Sequence, residues 1–310
     1  MKYSILYKNK KDVLNPSIVS GIGKRANVLM NYLEGNSLLS GVYDYSEIDQ
    51  INTDSLVISF MIDDDEIFEK LESKGLKVCN SYCSGHDKPT KWLYTSENIK
   101  LRFLSKAVKD LCEGFYDESN SFICHHGFSN SEYKVLDNPK KYFLWCASLG
   151  WGLDAKGLNS FITMAQYNPD FEFIAYGGRW NSSDLENKFI SDQSSIKNFK
   201  IKFDLSDEEK DEVFSKAIAF CQFSLLKEAG NVLTIESLLR ETPVLTLDVD
   251  NGSVKEYLGD MEIKLTNYRL TSDILDQVES VRSKLKSYNR YKNKFSCKSE
   301  IRIIQKNFNE

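Results

Sequence analysis

The sequence predicts an α/β protein built from two parallel-sheet domains. Short apolar runs, such as Ser55–Phe60 and Ala217–Phe223, alternate with longer polar segments that carry apolar residues at helical spacing. This alternation is typical of parallel strands joined by crossover helices. The length of 310 residues accommodates two domains of ordinary size, and a hydrophobic content of 41% is that of a globular protein with real cores.

Charge and cysteine content narrow the class of protein. The formal net charge of −5 gives no general attraction to nucleic acid, so we expect no nucleic-acid partner. The seven cysteines are scattered, which favours reduced core thiols over a disulfide framework. No apolar run is long enough to span a membrane, and the N-terminus resembles a first strand more than a signal peptide. We therefore expect a cytoplasmic protein.

The first half begins with a strand at Tyr3–Tyr7. A loop ending in Ser20-Gly-Ile-Gly-Lys-Arg follows, and then an amphipathic helix around Val28–Leu33. A glycine-bearing loop between the first strand and the first helix is where an open α/β sheet keeps its binding crevice, which makes Gly23 a candidate site residue. The pattern lacks a complete dinucleotide fingerprint, so we do not predict NAD binding. A plain strand-to-helix turn is the alternative.

The rest of the first half continues the alternation. An acidic run at 63–66 marks a helix start, where negative charge complements the helix dipole; metal binding by this run is the alternative. His86 follows a strand in Ser84-Gly-His-Asp. The further predicted elements are strands at Leu76–Tyr82, Trp92–Thr95 and Phe122–Cys124, and a helix at Glu97–Glu113.

A polar segment, Asn130–Lys140, has the composition of an interdomain linker. The second half again alternates strands and helices and contains no internal repeat. Its predicted strands are Tyr142–Cys146, Phe171–Tyr176, Lys200–Phe203, Ala217–Phe223 and Val244–Leu247. Its predicted helices are Asp154–Tyr167, Ser182–Asp192, Asp207–Lys216, one beginning near Asn231, one near Leu270–Tyr288 and a last one at Tyr291–Phe308.

The segment from Cys221 to Asp248 carries the strongest functional signal. A buried strand is followed by a short loop, and a helix begins near Asn231, a good N-cap residue. Pro243 ends that helix. The N–H groups at the helix start, around Gly230 and Val232, form a place where a phosphate group binds readily.

Two glutamates, Glu228 and Glu236, lie in this segment. In one continuous helix they would be about 80° apart, at about 100° per residue. We therefore place Glu228 in the loop and Glu236 inside the helix. Glu228 can then reach a sugar beside the phosphate, and Glu236 can accept hydrogen bonds from ribose hydroxyls. These are the parts needed to hold a nucleotide sugar.

The Glu-x7-Glu pair, the Gly-Asn between its members and the downstream Thr-Pro-Val resemble the retaining GT-B glycosyltransferases of family 4. A second block agrees with this resemblance: Tyr142-Phe-Leu-Trp-Cys-Ala-Ser-Leu-Gly-Trp-Gly-Leu-Asp-Ala-Lys-Gly-Leu, then Asn168-Pro-Asp and Phe173-Ile-Ala-Tyr-Gly-Gly. Two blocks in the right order make the resemblance specific from about Ile123 to Leu258. Before that it is topological.

The resemblance implies a GT-B fold, with two Rossmann-like parallel-sheet domains facing a cleft. The expected domains are an acceptor-side domain at 1–135, a donor domain at 136–290 and a C-terminal helix at 291–310 that crosses back onto the first domain. The implied donor-binding residues are Gly23, Ser148, Lys156, Glu228, Gly230, Asn231, Val232, Leu233 and Glu236. The implied catalytic residues are Glu228, Lys156 and His86.

Lys156 resembles the family lysine that neutralises the departing nucleoside diphosphate, a solvated surface lysine being the alternative. The family usually has an arginine at the position of Ser148. Its absence implies either weak activity or a substitute cation, for which Lys24, Arg25 and Arg179 are candidates. His86 matches the position of a cleft histidine. His125 and His126 are weaker candidates, with structural hydrogen bonding as the alternative, and a zinc site at Cys79, Cys83 and His86 lacks a fourth ligand.

We therefore predict a metal-independent retaining glycosyltransferase without a cofactor, using a UDP- or GDP-linked sugar donor. The acceptor would be a glycan, a lipid-linked molecule or a protein, and peripheral contact with a membrane is compatible with such acceptors. Ser148 and a first half that is short for the family motivate an alternative: a catalytically silent GT-B protein that binds or scaffolds a partner.

Overall fold

The computed structural model describes residues 1–14, 21–83, 89, 91–129, 132–149, 154–178, 193, 195–287 and 290–309. The chain divides into two compact units. The N-terminal unit comprises Met1–Ser129 and Asn293–Glu310, and the central unit comprises Asn130–Lys292. The predicted helix at Ser182–Asp192, together with His86 and Arg179, lies outside the described residues.

The N-terminal unit is built on a parallel sheet with the order β2-β1-β3-β4-β5-β6. Its strands in chain order are β1 Lys2–Leu6, β2 Leu39–Tyr43, β3 Ser55–Phe60, β4 Val78–Tyr82, β5 Ile99–Phe103 and β6 Ser121–Ile123. Its helices are α1 Lys11–Leu14, α2 Gly21–Gly35, α3 Asp65–Ser73 and α4 Lys106–Leu111, followed much later in the chain by α11 Cys297–Asn309. Short 3-10 turns lie at Tyr45–Gln50 and Glu118–Asn120.

The C-terminal helix α11 completes the core of the N-terminal unit. Ile301, Ile304 and Phe308 of α11 belong to the same apolar cluster as Tyr3 of β1 and Leu33 of α2. Burying this apolar face is what holds the last segment of the chain against the first sheet. The predicted return of the last helix to the first domain is therefore confirmed.

A buried ion pair joins α11 to the carboxyl end of β5. Arg102 and Glu300 approach to 2.6 Å, with side chains that are 0% and 3% exposed. The guanidinium also donates to the carbonyl oxygens of Cys124 and His125, each at 2.9 Å. The second oxygen of Glu300 accepts the Gly127 N–H at 2.7 Å. Both charged groups are thus satisfied inside the fold.

The structure corrects two predicted elements of the N-terminal unit. Trp92–Thr95 is not a strand, and the helix predicted at Glu97–Glu113 is instead β5 followed by α4. Ile99, Leu101 and Phe103 alternate with two basic residues, a period of two that indicates a strand. The helical spacing of the later residues obscured it. The short strand β2 was also missed.

The central unit contains a second parallel sheet with the order β12-β11-β10-β7-β8-β9. Its strands are β7 Tyr142–Ser148, β8 Glu172–Gly178, β9 Phe199–Phe203, β10 Ala217–Gln222, β11 Val244–Leu247 and β12 Ile263–Leu265. Its described helices are α5 Leu158–Tyr167, α6 Asp207–Ser215, α7 Val232–Leu239, α8 Ser253–Leu258 and α9 Ser272–Ser287, and a short 3-10 turn lies at Gly259–Met261. The short helix α10, Arg290–Lys294, leads out of this unit.

The strand order of the central unit is that of the Rossmann fold, so the predicted fold class of two Rossmann-like parallel sheets is confirmed. The elements that the sequence did not predict here are α8 and β12, which are both short. Within the described residues, none of the helices is long and apolar enough to cross a bilayer.

Candidate active site

A pocket opens at the carboxyl ends of β7 and β10 in the central unit. These strands are neighbours in the sheet, but the chain reaches β10 only after building β8 and β9 on the far side of β7. Such a reversal of strand order is the position where open α/β sheets bind ligands. The pocket has a volume of about 260 Å³ and is lined by Cys146, Ala147, Ser148, Lys156, Gln222, Glu228, Gly230, Asn231, Val232 and Leu233.

Lys156 lies in a turn before α5, not in its first helical turn as predicted. Gly157 follows it with φ 76°, a conformation that favours glycine, and a Cβ there would lie 2.0 Å from the Phe223 carbonyl oxygen. The Lys156 carbonyl accepts the Trp145 indole N–H at 3.0 Å. The backbone that carries Lys156 is therefore fixed against β7 and β10.

Lys156 and Glu228 meet inside the pocket. The lysine Nζ lies 2.7 Å from Glu228 Oε1, and the two side chains are 13% and 11% exposed. The turn that carries Lys156 is fastened to the loop after β10 by a hydrogen bond from Leu225 N–H to the Ala155 carbonyl at 3.1 Å. Charge-assisted pairs of this kind are strong, so the two side chains hold each other in place.

The loop before α8 holds the backbone of Glu228 by two hydrogen bonds. The Glu228 N–H donates to the Asn251 carbonyl at 3.3 Å, and the Glu228 carbonyl accepts the Ser253 N–H at 2.9 Å. Between them Gly252 has φ 65°, and a Cβ at this residue would meet the Glu228 carbonyl oxygen at 2.8 Å. This support is not visible in the sequence, because it arises only where two loops approach each other in three dimensions.

Helix α7 begins at the pocket as predicted. Asn231 is its N-cap, and its side-chain oxygen accepts the Thr234 N–H at 2.8 Å. Gly230, Val232 and Leu233 line the pocket around this helix start. The first N–H groups of a helix lack acceptors within the helix and carry a partial positive charge, so the pocket offers a favourable place for an anionic oxygen.

Glu236 lies in α7 but is not among the residues that line the pocket. It is 4% exposed, and its carboxylate is 2.9 Å from Nζ of Lys210 in α6. Lys210 is not recognisable as a site residue from the sequence, because it is one basic residue in the acidic run 207–212 and its partner is distant in sequence. The predicted contact of Glu236 with a ribose stays a prediction.

The strand ends add residues that the motif comparison missed. Cys146, Ala147 and Gln222 line the pocket because they end, or nearly end, β7 and β10. The rule that ligands bind at the reversal of strand order could have found them. Ser148 is exposed at the end of β7 and lines the same pocket. Burial raises the pKa of the Cys146 thiol to about 12, so this thiol is not a ready nucleophile.

The remaining predicted residues are not part of this pocket. Gly23 is buried in the first turns of α2 in the N-terminal unit, not in a loop. Arg25 of the same helix is 2% exposed and stacks on Phe128, with 4.3 Å from its guanidinium carbon to the ring centroid.

The two other histidines make contacts within the N-terminal unit. His125 Nδ1 is 2.7 Å from the Leu104 carbonyl oxygen, and His126 lies beside Arg102. Burial lowers the pKa of His125 to about 4.

No family model matches the chain, and no curated protein matches it. Solved structures do match it over its whole length. AviGT4, a glycosyltransferase involved in avilamycin A biosynthesis, has a TM-score of 0.70 and 12% identity, covering 100% of this chain and 97% of its own. A glycosyltransferase from Rickettsia africae has a TM-score of 0.69 and 13% identity, with coverage of 99% and 98%.

A third similar structure, Anabaena Alr3699/HepE in complex with UDP, has a TM-score of 0.67 and 12% identity, and each chain is covered to 100%. The chain has the GT-B fold. The predicted likeness to GT-B glycosyltransferases is therefore confirmed at the level of the fold, while the assignment to family 4 stays a prediction. Since the GT-B structures match along the full chain, both units take part in the likeness.

Proposed function

We propose that the protein is a retaining glycosyltransferase that moves a sugar from a UDP- or GDP-linked donor to an acceptor hydroxyl. The observation that carries this proposal is the pocket at the strand-order reversal of the central unit. It combines a cation, a carboxylate and a capped helix start within one cavity of about 260 Å³. A GT-B structure similar to this chain was solved in complex with UDP-glucose, at a TM-score of 0.66 and 12% identity.

Each part of the pocket has a task in this proposal. The N–H groups at the start of α7 and the ammonium of Lys156 stabilise the negative charge that grows on the diphosphate as the sugar–phosphate bond breaks. Because these groups supply the positive charge, the mechanism needs no metal ion. Glu228 positions the sugar, and Glu236 accepts the ribose hydroxyls. The acceptor hydroxyl attacks the face that the diphosphate leaves, and the leaving phosphate takes its proton.

The Lys156–Glu228 ion pair belongs to the donor-free state in this proposal. Donor binding replaces one bond at 2.7 Å by two separate ones, from Lys156 to the diphosphate and from Glu228 to a sugar hydroxyl. The exchange keeps both charges partnered, which limits the cost of taking the donor out of water. His86, in the N-terminal unit, is proposed to lie near the reacting sugar.

The proposed reaction also suggests where the enzyme acts and on which acceptors. A nucleotide sugar is a soluble donor, so we propose a cytoplasmic enzyme that reaches a glycan, a lipid-linked molecule or a protein, with peripheral membrane contact in the second case. The proposed acceptor-side domain is 1–135, the donor domain 136–290 and the returning helix 291–310.

A thermal-shift screen with UDP-, GDP-, ADP- and CMP-sugars tests the proposal first, because a bound ligand raises the melting temperature by mass action. We expect stabilisation by a UDP- or GDP-sugar. A CMP-sugar has a single phosphate and serves as the matched negative ligand. Stabilisation by none of the diphosphate sugars would count against a donor site in this pocket.

Donor turnover and calorimetric affinity for the bare nucleoside diphosphate then separate transfer from silent binding. We expect Lys156→Ala to lower turnover by about 10²–10³. Glu228→Ala should abolish transfer while retaining nucleotide affinity. Lys200→Ala, at a lysine of the same unit that is 59% exposed, is the control. Turnover that survives both substitutions would contradict the site, and a wild type that binds donors without consuming them would support the silent alternative.

A further inference from the structure

Lys210 forms the centre of a buried charge cluster beside the proposed donor pocket. It lies in the first turn of α6, which directly follows β9 and therefore starts at the carboxyl edge of the sheet. Its Nζ is 2.9 Å from Glu236 Oε2 and 3.1 Å from Asp207 Oδ1. The Lys210 side chain is 13% exposed and that of Glu236 is 6% exposed.

The charge of Lys210 survives its burial. Burial by itself lowers the pKa of the amine, but the Glu236 and Asp207 carboxylates raise it more, and the net shift is upward. The lysine is therefore a permanent cation beside Glu236 at neutral pH. Removing one partner of such a buried pair leaves the other charge uncompensated, so Lys210 and Glu236 depend on each other.

The nearby Arg240 does not replace Lys210. Its Nη1 is 4.0 Å from Glu236 Oε2, whereas its Nε donates to Asp211 Oδ1 at 2.8 Å. Its Nη1 and Nη2 also donate to the carbonyl oxygens of Glu236 and Glu132, respectively. The guanidinium is thus committed to other acceptors, and the shorter contacts to the Glu236 carboxylate come from Lys210.

The cluster lies against the wall of the pocket. Cys146 lines the pocket at the end of β7. The positive charge of Lys210 lowers the pKa of its thiol, and the negative charge of Glu236 raises it. Neither Lys210 nor Glu236 lines the pocket itself. Glu236 follows Val232 and Leu233 by four and three residues, so it lies on the face of α7 that borders the pocket.

We infer that Lys210 is a positioning residue for nucleotide recognition, holding the Glu236 carboxylate so that it accepts the ribose hydroxyls. This inference rests on the proposed function. A carboxylate kept charged and oriented by an ammonium accepts two hydroxyl donors, whereas a neutral or rotated one accepts fewer. The consequence is a preference for ribonucleotides over 2′-deoxyribonucleotides that depends on Lys210 and not on the base.

The test compares calorimetric affinities for UDP and 2′-deoxy-UDP, or for GDP and 2′-deoxy-GDP if guanine nucleotides stabilise the protein better. We expect the wild type to prefer the ribonucleotide by about tenfold or more, the range for a hydrogen bond to a charged group. In Lys210→Met this ratio should fall close to one, and Lys210→Arg should restore most of it. Lys216→Met, at the C-cap of α6 with an exposed glutamate partner, is the control and should keep the wild-type ratio.

A double-mutant cycle separates positioning from folding. In Glu236→Gln the ratio should already be lost, so adding Lys210→Met should change it no further. If Lys210→Met alone fails to fold, Lys210→Gln takes its place, because it removes the positive charge but keeps a polar group beside the Glu236 carboxylate. If the ratio of the two affinities in Lys210→Met equals that of the wild type, the inference is overturned. This holds even if both nucleotides bind more weakly to the variant.

The test distinguishes a failure of the proposed function from a failure of the role of Lys210. A wild type that binds neither nucleotide contradicts the donor site itself. A wild type that binds both without discrimination contradicts the ribose contact and with it the role of Lys210. A wild type that discriminates, with Lys210→Met equally discriminating, refutes the role of Lys210 alone.

Discussion

Each unit has an ion pair at the carboxyl end of its parallel sheet. The two pairs differ in how far their side chains are exposed to solvent. In the N-terminal unit, Arg102 and Glu300 are 0% and 3% exposed at the carboxyl end of β5. In the central unit, Lys156 and Glu228 are 13% and 11% exposed and line a pocket between the ends of β7 and β10. A pocket opens where β7 and β10 end, at the reversal of strand order. The end of β5 is instead covered by α11.

The difference separates a structural pair from one that can exchange partners. The guanidinium of Arg102 and the carboxylate of Glu300 have additional hydrogen bonds to backbone groups, at 2.7–2.9 Å. A ligand that replaced any of them would have to unpack α11. Lys156 and Glu228 face a cavity, so a ligand that supplies an anion and a hydroxyl can satisfy both. Substitutions in each unit should therefore have different effects.

The largest effect should come from Glu300→Ala. It leaves the Arg102 guanidinium buried without its carboxylate and frees the Gly127 N–H, so we expect a loss of about 3–5 kcal/mol in the free energy of unfolding. Urea unfolding measures it. Glu118→Ala is the control, because Glu118 belongs to the same unit but its side chain is 64% exposed. A near-neutral Glu300→Ala would show that the two ion pairs do not differ as described.

A smaller effect is expected at Gly252, where the backbone approaches Glu228. Gly252 and Gly259 have nearly the same conformation, φ 65°, ψ −120° and φ 54°, ψ −122°, so alanine at either costs about 1–3 kcal/mol of strain. Only at Gly252 would the new Cβ meet Glu228, at 2.8 Å, while Gly259 has nothing within 4 Å. Turnover measured at equal folded fraction should fall in Gly252→Ala alone. Equal turnover would remove Gly252 from the support of the site.

The smallest effect on stability is expected at Asn231. Removing its side chain in Asn231→Ala should lower the free energy of unfolding by about 1 kcal/mol, because the Thr234 N–H loses its acceptor. Asn231→Asp keeps the cap and should keep the stability, but it adds a negative charge at a pocket proposed to bind diphosphate. Calorimetry should show weaker nucleoside diphosphate binding in the aspartate variant. Unchanged binding would contradict a diphosphate at this helix start.

Local patterns in the sequence were sufficient for much of the fold. Strands β3 and β11 have their predicted bounds, and α7 begins after Asn231 as expected, because apolar runs, N-caps and Pro243 act within a few residues. The helix predicted over β5 misread a local pattern, but the burial of an arginine in this strand has a non-local cause. Arg102 is fully buried there, and a sequence pattern assigns an arginine to the surface unless its distant partner, Glu300, is known.

The same distinction holds for the candidate site. Seven of the predicted residues, from Ser148 to Leu233, line one pocket because they lie in two motifs that follow neighbouring strands. The support of Glu228 by the loop at Gly252 and the pairing of Glu236 with Lys210 depend on contacts between segments far apart in the chain. No spacing rule predicts those contacts. Both therefore required the structure.

The N-terminal unit consists of two segments that are far apart in the sequence. This separation affects the order in which the units can fold during synthesis. Glu300, which accepts the Gly127 N–H, is synthesised 173 residues after it. At about 5–20 residues per second on the ribosome, roughly 9–35 seconds pass before the last helix can join the first sheet. During that interval Arg102 has no carboxylate partner and part of the apolar core is uncovered. The central unit is continuous in sequence and emerges complete, so a nascent chain should finish its second unit before its first.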